Sequence, residues 1–161
     1  MFQPDENGVY AVVQASPLRR VFAYGVLLAL GVLVLYTALT RPPALGWLVF
    51  MLVFGIATLW LAERLRRATL LRIELTATDI RDSSGMVLAT MDDIIGVDRG
   101  IFAFKPSNGF TLVMKNKKPR SWAPGLWWRL GRRVGVGGVT SAGQAKFMAE
   151  QIAFRLNDRS N

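Results

Sequence analysis

The residues best suited to chemistry lie in one stretch, residues 115–133, which is rich in cations and tryptophan and contains no Asp or Glu. Basic side chains attract anionic lipid headgroups and acidic proteins, and Trp and Arg dominate the energetic centres of protein interfaces. We expect a loop or short helix that contacts a membrane surface or a partner; the alternative is a long loop whose tryptophans cover a sheet. The expected contact residues are Lys115, Lys117, Lys118, Arg120, Trp122, Trp127, Trp128, Arg129, Arg132 and Arg133.

Side chains for catalysis or metal binding are scarce. The chain has no Cys and no His, which excludes a thiolate nucleophile, a histidine base and a Cys/His zinc site. Asp92 and Asp93 form an acidic pair, but adjacent strand residues face opposite ways, so we expect a solvated turn. The glycines within residues 131–138 fit neither common nucleotide-binding spacing. We therefore predict a protein that is not an enzyme, with no cofactor, metal or small-molecule substrate; an enzyme that uses carboxylates alone is the remaining alternative.

Two apolar segments, residues 21–39 and 44–62, contain no Asp, Glu, Lys or Arg. A helix of about 20 residues crosses roughly 30 Å of hydrocarbon, so each segment is long enough to span a membrane. The prolines at positions 42 and 43 interrupt the helix and leave room only for a tight antiparallel turn. We predict a transmembrane hairpin over residues 21–62. A cleaved signal peptide is the alternative for the first segment, but the second span follows too closely to favour it.

Arginines flank the predicted hairpin on one side. Arg19 and Arg20 precede it and several more follow between residues 64 and 72, whereas the turn contains only Arg41. Because cytoplasmic loops carry the excess of Lys and Arg, both termini should be cytoplasmic. Neither span contains Asp, Glu, Lys, Arg or His, which argues against a transporter or pump acting alone.

Gly25 and Ala29 form a small-xxx-small pair on the first predicted span. Small residues at this spacing let helix backbones approach closely. We expect the pair either to pack the two spans together or to dock a partner helix. Chance occurrence in a segment rich in Gly, Ala and Leu is the alternative.

A soluble-looking domain is predicted over residues 63–161. Strict apolar and polar alternation at residues 71–76 predicts a half-buried strand, and further short strands follow as far as residue 114. Ser141 and Gln144 have capping-box spacing, and an apolar stripe after them predicts an amphipathic C-terminal helix. Residues 1–20 form a cytoplasmic segment whose apolar patch either lies in the membrane interface or adds a strand to the domain. The predicted fold class is α+β, a transmembrane hairpin followed by an antiparallel β domain with a C-terminal helix.

Four segments of this domain carry a family pattern: LRIELT at 71–76, DSSG at 82–85, DIIGV at 93–97, and GGVTS at 137–141. With the hairpin before them, they resemble the bacterial pleckstrin-homology-like membrane proteins over about residues 63–158. The resemblance implies a bent seven-stranded sheet with a helix at one end and a place in the bacterial inner membrane. It also implies scaffolding, assembly of membrane complexes or lipid-proximal binding. Phosphoinositide-binding relatives carry basic residues in the first strand–strand loop, and the equivalent residues 76–79 include none.

The net charge of the chain is +9, and most of the positive excess follows residue 62. A basic domain beside a bilayer favours anionic lipid or an acidic partner over nucleic acid. We therefore expect a non-catalytic, membrane-anchored interaction protein, which is an accessory subunit or assembly factor of a larger membrane protein complex. The alternative is a lipid-binding or regulatory module that contacts anionic headgroups through residues 115–133.

Overall fold

A computed structural model describes residues 4–98 and 106–160. Two long apolar helices near the N-terminus are combined with antiparallel β-sheets and a C-terminal helix, as the α+β fold class predicted. In chain order the elements are β1 (Ala11–Gln14), α1 (Pro17–Thr40), α2 (Leu45–Ala68), β2 (Arg72–Leu75), β3 (Asp79–Asp82), β4 (Val87–Thr90), a 3₁₀ turn (Met91–Asp93), β5 (Ile94–Asp98), β6 (Phe110–Ala123), β7 (Trp127–Val136) and α3 (Ala142–Ser160).

Helices α1 and α2 are each 24 residues long, and both are long and apolar enough to cross a membrane. They pack against each other, but most of their apolar side chains face outward. Leu39 and Leu45, on either side of the turn between them, are 72% and 77% exposed. An outward apolar surface of this extent is characteristic of contact with lipid or with another protein.

The backbones of the two helices lie close together at Gly31 and Gly55. A Cβ atom at Gly31 would lie 3.3 Å from the Gly55 carbonyl oxygen, and one at Gly55 would lie 3.4 Å from the Gly31 carbonyl oxygen. Gly25 has open space where a side chain would begin, and Ala29 is exposed. Gly25 and Ala29 therefore do not pack α1 against α2, and their docking of a partner helix stays a prediction.

The N-terminal apolar patch adds a strand to the β domain. β1 pairs antiparallel with β2, with Ala11 opposite Leu75 and Gln14 opposite Arg72. The helical hairpin is therefore inserted between two neighbouring strands of one sheet. That sheet has the order β1-β2-β3-β4, and a second sheet has the order β5-β6-β7. Within the described residues, this layout is compatible in general terms with the family resemblance.

Helix α3 covers the core between the sheets. Its apolar stripe is buried, as predicted, at Ala145, Met148, Ala149 and Ile152. The predicted capping box is wrong, because Gln144 does not turn back to Ser141. Instead, Gln144 Oε1 accepts a hydrogen bond from the Gln14 backbone N–H at 3.1 Å. The Ser141 N–H donates to the Gln14 carbonyl, also at 3.1 Å, so the start of α3 is fixed to β1.

Gly109 provides a test of how tightly the second sheet closes. It precedes β6, and a Cβ atom there would overlap the carbonyl oxygen of Val136 at the end of β7. We expect Gly109→Ala to lower the free energy of unfolding by about 1–3 kcal/mol, the range for overpacked sites. Thermal unfolding of the full chain in detergent, followed by near-UV circular dichroism, measures the change. Gly143→Ala is the matched control, because Gly143 lies in α3 with open space around it; equal losses in both variants would contradict the steric argument.

Candidate functional site

Residues 115–133 lie in a β-ribbon formed by β6 and β7, so the expected loop or short helix is wrong. The pairing extends from Phe110 opposite Val136 to Ala123 opposite Trp127. The register shifts between Val113 and Lys118, where β6 contains extra residues. This bulge interrupts the alternation of apolar and polar residues, which explains why the sequence pattern did not indicate a strand.

The ribbon folds back on itself near Gly131. The Gly137 N–H donates a hydrogen bond to the Leu126 carbonyl at 2.9 Å, so the two ends of β7 lie together. A straight strand of ten residues would separate its ends by roughly 30 Å. Gly131 has a φ of 58°, which glycine adopts without steric strain. It lies opposite Lys118 beside the register shift, so the bend is formed by residues 114–118 and 131–132.

The bend and the β6–β7 turn lie at opposite ends of the β domain. The turn contacts the end of α2, since a Cβ atom at Gly125 would lie 2.6 Å from the Leu65 side chain. At the bend, Lys118 forms an ion pair with Asp93 at 3.5 Å. Asp93 is the last residue of the 3₁₀ turn that follows β4. Because β2 leads away from α2 and β4 runs in the same direction as β2, this turn lies at the end of the first sheet that is distant from α2. The bend is therefore at the end of the domain that is distant from the helices.

Cations without carboxylate partners cluster at and beside this bend. All are exposed, and none forms an ion pair within residues 4–98 and 106–160. We call this set the basic apex: Lys115, Lys117, Arg120, Arg132 and Arg133. Cations that lack nearby counter-charges project a positive potential into solvent, which attracts acidic partners.

Arg129, one of the expected contact residues, connects the two sheets, and its contact with a membrane or partner stays a prediction. Its Nη1 atom donates to the carbonyl oxygens of Val87 and Leu88 on β4 at 3.0 and 3.3 Å. Its Nε atom donates to the Pro119 carbonyl at 2.9 Å. The guanidinium thus satisfies backbone carbonyl oxygens at the boundary between the two sheets, where β4 lies next to β7 without strand-to-strand hydrogen bonding.

Lys118 also has a structural role, through its ion pair with Asp93. Asp93 Oδ1 accepts hydrogen bonds from the backbone N–H and side-chain Nδ2 of Asn116, at 3.0 and 2.9 Å. Its Oδ2 has no hydrogen-bond donor among the described residues, and the Lys118 ammonium at 3.5 Å is its electrostatic partner. The expectation of a solvated acidic turn is therefore wrong for Asp93, which is buried, although Asp92 beside it is exposed and pairs with Arg159.

The three tryptophans of the ribbon occupy different environments. Trp127 is 2% exposed and belongs to the core. Trp128 is half-buried over Gly135, where a Cβ atom would overlap its ring. Trp122 is 47% exposed and lies near α2. Trp127 and Trp128 thus match the alternative in which tryptophans cover the sheet, and Trp122 is the one whose ring is available at the surface.

A second surface lies where α2 meets the β6–β7 turn. An open groove of about 670 Å³ is present there, and we call it the aromatic groove; Trp60, Arg64, Trp122 and Trp127 are among the residues that line it. The Arg64 guanidinium carbon is 5.1 Å from the Trp60 ring centroid and 6.0 Å from that of Trp122. The spacing of Trp60 and Arg64, one helical turn, was readable in the sequence. Their meeting with Trp122 was missed, because it depends on the folding of β6 and β7.

Comparison with known proteins assigns no family. No protein-family model, no curated protein and no solved structure matches the chain. The basic apex and the aromatic groove are therefore the features on which a functional proposal rests.

Substitutions of Arg129 and Arg132 compare the stability contribution of a structural cation with that of an exposed one. We expect Arg129→Gln to lower the free energy of unfolding by about 1–3 kcal/mol, because backbone carbonyls at the sheet boundary lose their donor. Arg132→Gln should change it by less than about 0.5 kcal/mol, as is usual for a surface substitution. Chemical denaturation of the full chain in detergent, followed by tryptophan fluorescence, gives both values. An Arg129 variant as stable as the Arg132 variant would show that the sheet boundary does not need this side chain.

Proposed function

We propose that α1 and α2 form a transmembrane hairpin in a bacterial inner membrane, with both termini and the β domain in the cytoplasm. The outward apolar surface of both helices supports this arrangement. The arginines at the start of α1 and the end of α2 support the orientation. The family resemblance is the basis for the bacterial assignment. The same resemblance, with four strands in one sheet, three in the other and α3 against them, supports a pleckstrin-homology-like domain.

The proposed function is that of a non-catalytic interaction protein, an accessory subunit or assembly factor that docks on a larger membrane protein complex. The basic apex is the observation that carries this proposal. Ala123 lies near the end of α2. The distance from Ala123 to Lys117 along β6 is up to about 20 Å. That length is about two Debye lengths at physiological ionic strength. A membrane around the helices would attract Lys115 and Lys117, at the bend, only weakly, and an acidic protein surface is therefore their favoured partner.

Membrane insertion is tested by extraction of membranes at alkaline pH. We expect the full chain to stay in the membrane pellet after carbonate treatment and to enter solution only with detergent, because both helices would expose their apolar surface to water otherwise. Release into the supernatant by carbonate alone would contradict the transmembrane hairpin.

Partner docking is tested by affinity purification of the tagged full chain from its native host in mild detergent. We expect one membrane complex to co-purify at a fixed ratio. Lys115→Gln/Lys117→Gln should reduce its recovery about tenfold or more at physiological salt, since exposed charges dominate the encounter with an acidic surface. Mass spectrometry of the eluted chains measures the ratio.

The matched control for this experiment is Arg81→Gln/Lys146→Gln, which removes the same charge from positions outside the basic apex. It should leave recovery of the complex unchanged. Elution of the wild-type chain without a stoichiometric partner would overturn the proposed function. Equal recovery with the Lys115/Lys117 variant and the control would remove the basic apex from the interface.

A further inference from the structure

The aromatic groove places one cation between two tryptophan rings at the end of a candidate membrane span. Arg64 follows the apolar segment 44–62 by two positions, so it lies at the level of the lipid headgroups if α2 crosses the bilayer. Trp60 and Trp122 are 56% and 47% exposed. Tryptophan favours this level of a membrane, where its ring is in an apolar environment and its N–H is hydrated.

Arg64 has no anionic partner within the described residues. The neighbouring carboxylate of Glu63 is engaged by Arg66 and Arg67, each with an Nε–oxygen distance of 2.7 Å. Asp82 also lines the groove, but it is buried, and its Oδ1 accepts hydrogen bonds from the backbone N–H groups of Ser84 and Met86. The charge of Arg64 is therefore left to attract an anion that enters the groove.

One buried hydrogen-bond donor belongs to a residue in the groove wall. Trp127 is 2% exposed and lines the groove, and its indole Nε1 is buried with no acceptor among the described residues. A buried donor of this kind costs free energy unless an acceptor reaches it. Ser84 and Ser121 also line the groove, but the Ser84 hydroxyl donates to Asp82 Oδ1 and the Ser121 hydroxyl lies 3.8 Å from the Met86 sulfur. The groove thus combines a cation with two exposed rings, a set that suits a phosphate ester.

We propose that the aromatic groove binds the headgroup of an anionic phospholipid from the bilayer around the hairpin. Arg64 bonds the phosphate, and the rings of Trp60 and Trp122 hold the guanidinium in place. The position beside α2 favours a membrane lipid as the occupant, because a lipid in the adjoining leaflet reaches the groove without leaving the bilayer. This site differs from the basic apex in both residues and position. The lipid site and the proposed function share one assumption, that the hairpin is inserted in a membrane. Alkaline extraction tests this assumption separately.

Native mass spectrometry of the detergent-solubilised full chain, titrated with phosphatidylglycerol or phosphatidylcholine, tests the proposal. We expect one phosphatidylglycerol molecule to bind with clear preference over phosphatidylcholine. Arg64→Gln should weaken phosphatidylglycerol binding by about fivefold or more, the usual contribution of one cation at a membrane surface. Arg64→Lys should restore part of the loss, and Trp122→Leu should weaken binding without any change in charge.

Arg72→Gln is the matched control, because Arg72 is an exposed arginine close to the end of α2 that does not line the groove. Equal weakening by Arg64→Gln and Arg72→Gln would show a general charge effect and overturn the site. Unchanged binding in Arg64→Gln, with far-UV circular dichroism showing an intact fold, would do the same. Displacement of the lipid by millimolar glycerol phosphate would assign the groove to a soluble phosphate ester instead.

Discussion

β1 and β2 are neighbours in one sheet, although the whole helical hairpin separates them in sequence. Their antiparallel pairing brings the start of α1 beside the end of α2. Two contacts extend this junction to the segment before α3. The Ser16 N–H donates to the Val139 carbonyl at 2.8 Å, and Arg19 Nη1 donates to the Thr140 carbonyl at 2.9 Å. Because the domain is joined to both ends of the hairpin, its orientation relative to the helices is set by hydrogen bonds as well as by chain connection.

Elements defined by local pattern could be predicted from the sequence, and those defined by distant partners could not. The apolar segments, the alternation around Ile73 and the stripe of α3 each show their period within a few turns or strand residues. β1 has only four residues, and its pairing with β2 cannot be read locally. Gln144 illustrates the same limit, because its spacing from Ser141 suggested a cap, whereas Gln14 lies within reach only in the folded chain. Gly31 and Gly55 likewise meet at a helix crossing that neither segment specifies alone.

The cations of residues 115–133 divide into two physical classes that composition cannot distinguish. Arg129 and Lys118 act inside the domain, where they satisfy carbonyl oxygens and a buried carboxylate. The members of the basic apex lie on outward positions of the bend and retain their charge for solvent or a partner. The difference arises from strand position: Lys118, beside the register shift of β6, reaches Asp93 of the 3₁₀ turn, and Arg129 on β7 reaches the backbone of β4. Counting every cation in a basic segment therefore gives too large a binding surface unless the strand register shows which side chains are exposed.

The separation of the aromatic groove from the basic apex determines how their electrostatics combine. Along β6, Lys117 lies up to about 20 Å from Ala123 in the groove wall, whereas Arg120 lies within about 10 Å of it. Because salt screens exposed charges strongly beyond about 8–10 Å, an anion bound at Arg64 neutralises little of the potential at Lys115 and Lys117. If α1 and α2 span a bilayer as proposed, the attachment of the domain at both ends of the hairpin holds the apex at a fixed height above the headgroups, and a docking partner loses less orientational freedom. Under the proposed function and the proposed lipid site, the two surfaces would therefore be occupied together, with lipid at the base of the domain and protein at its far end.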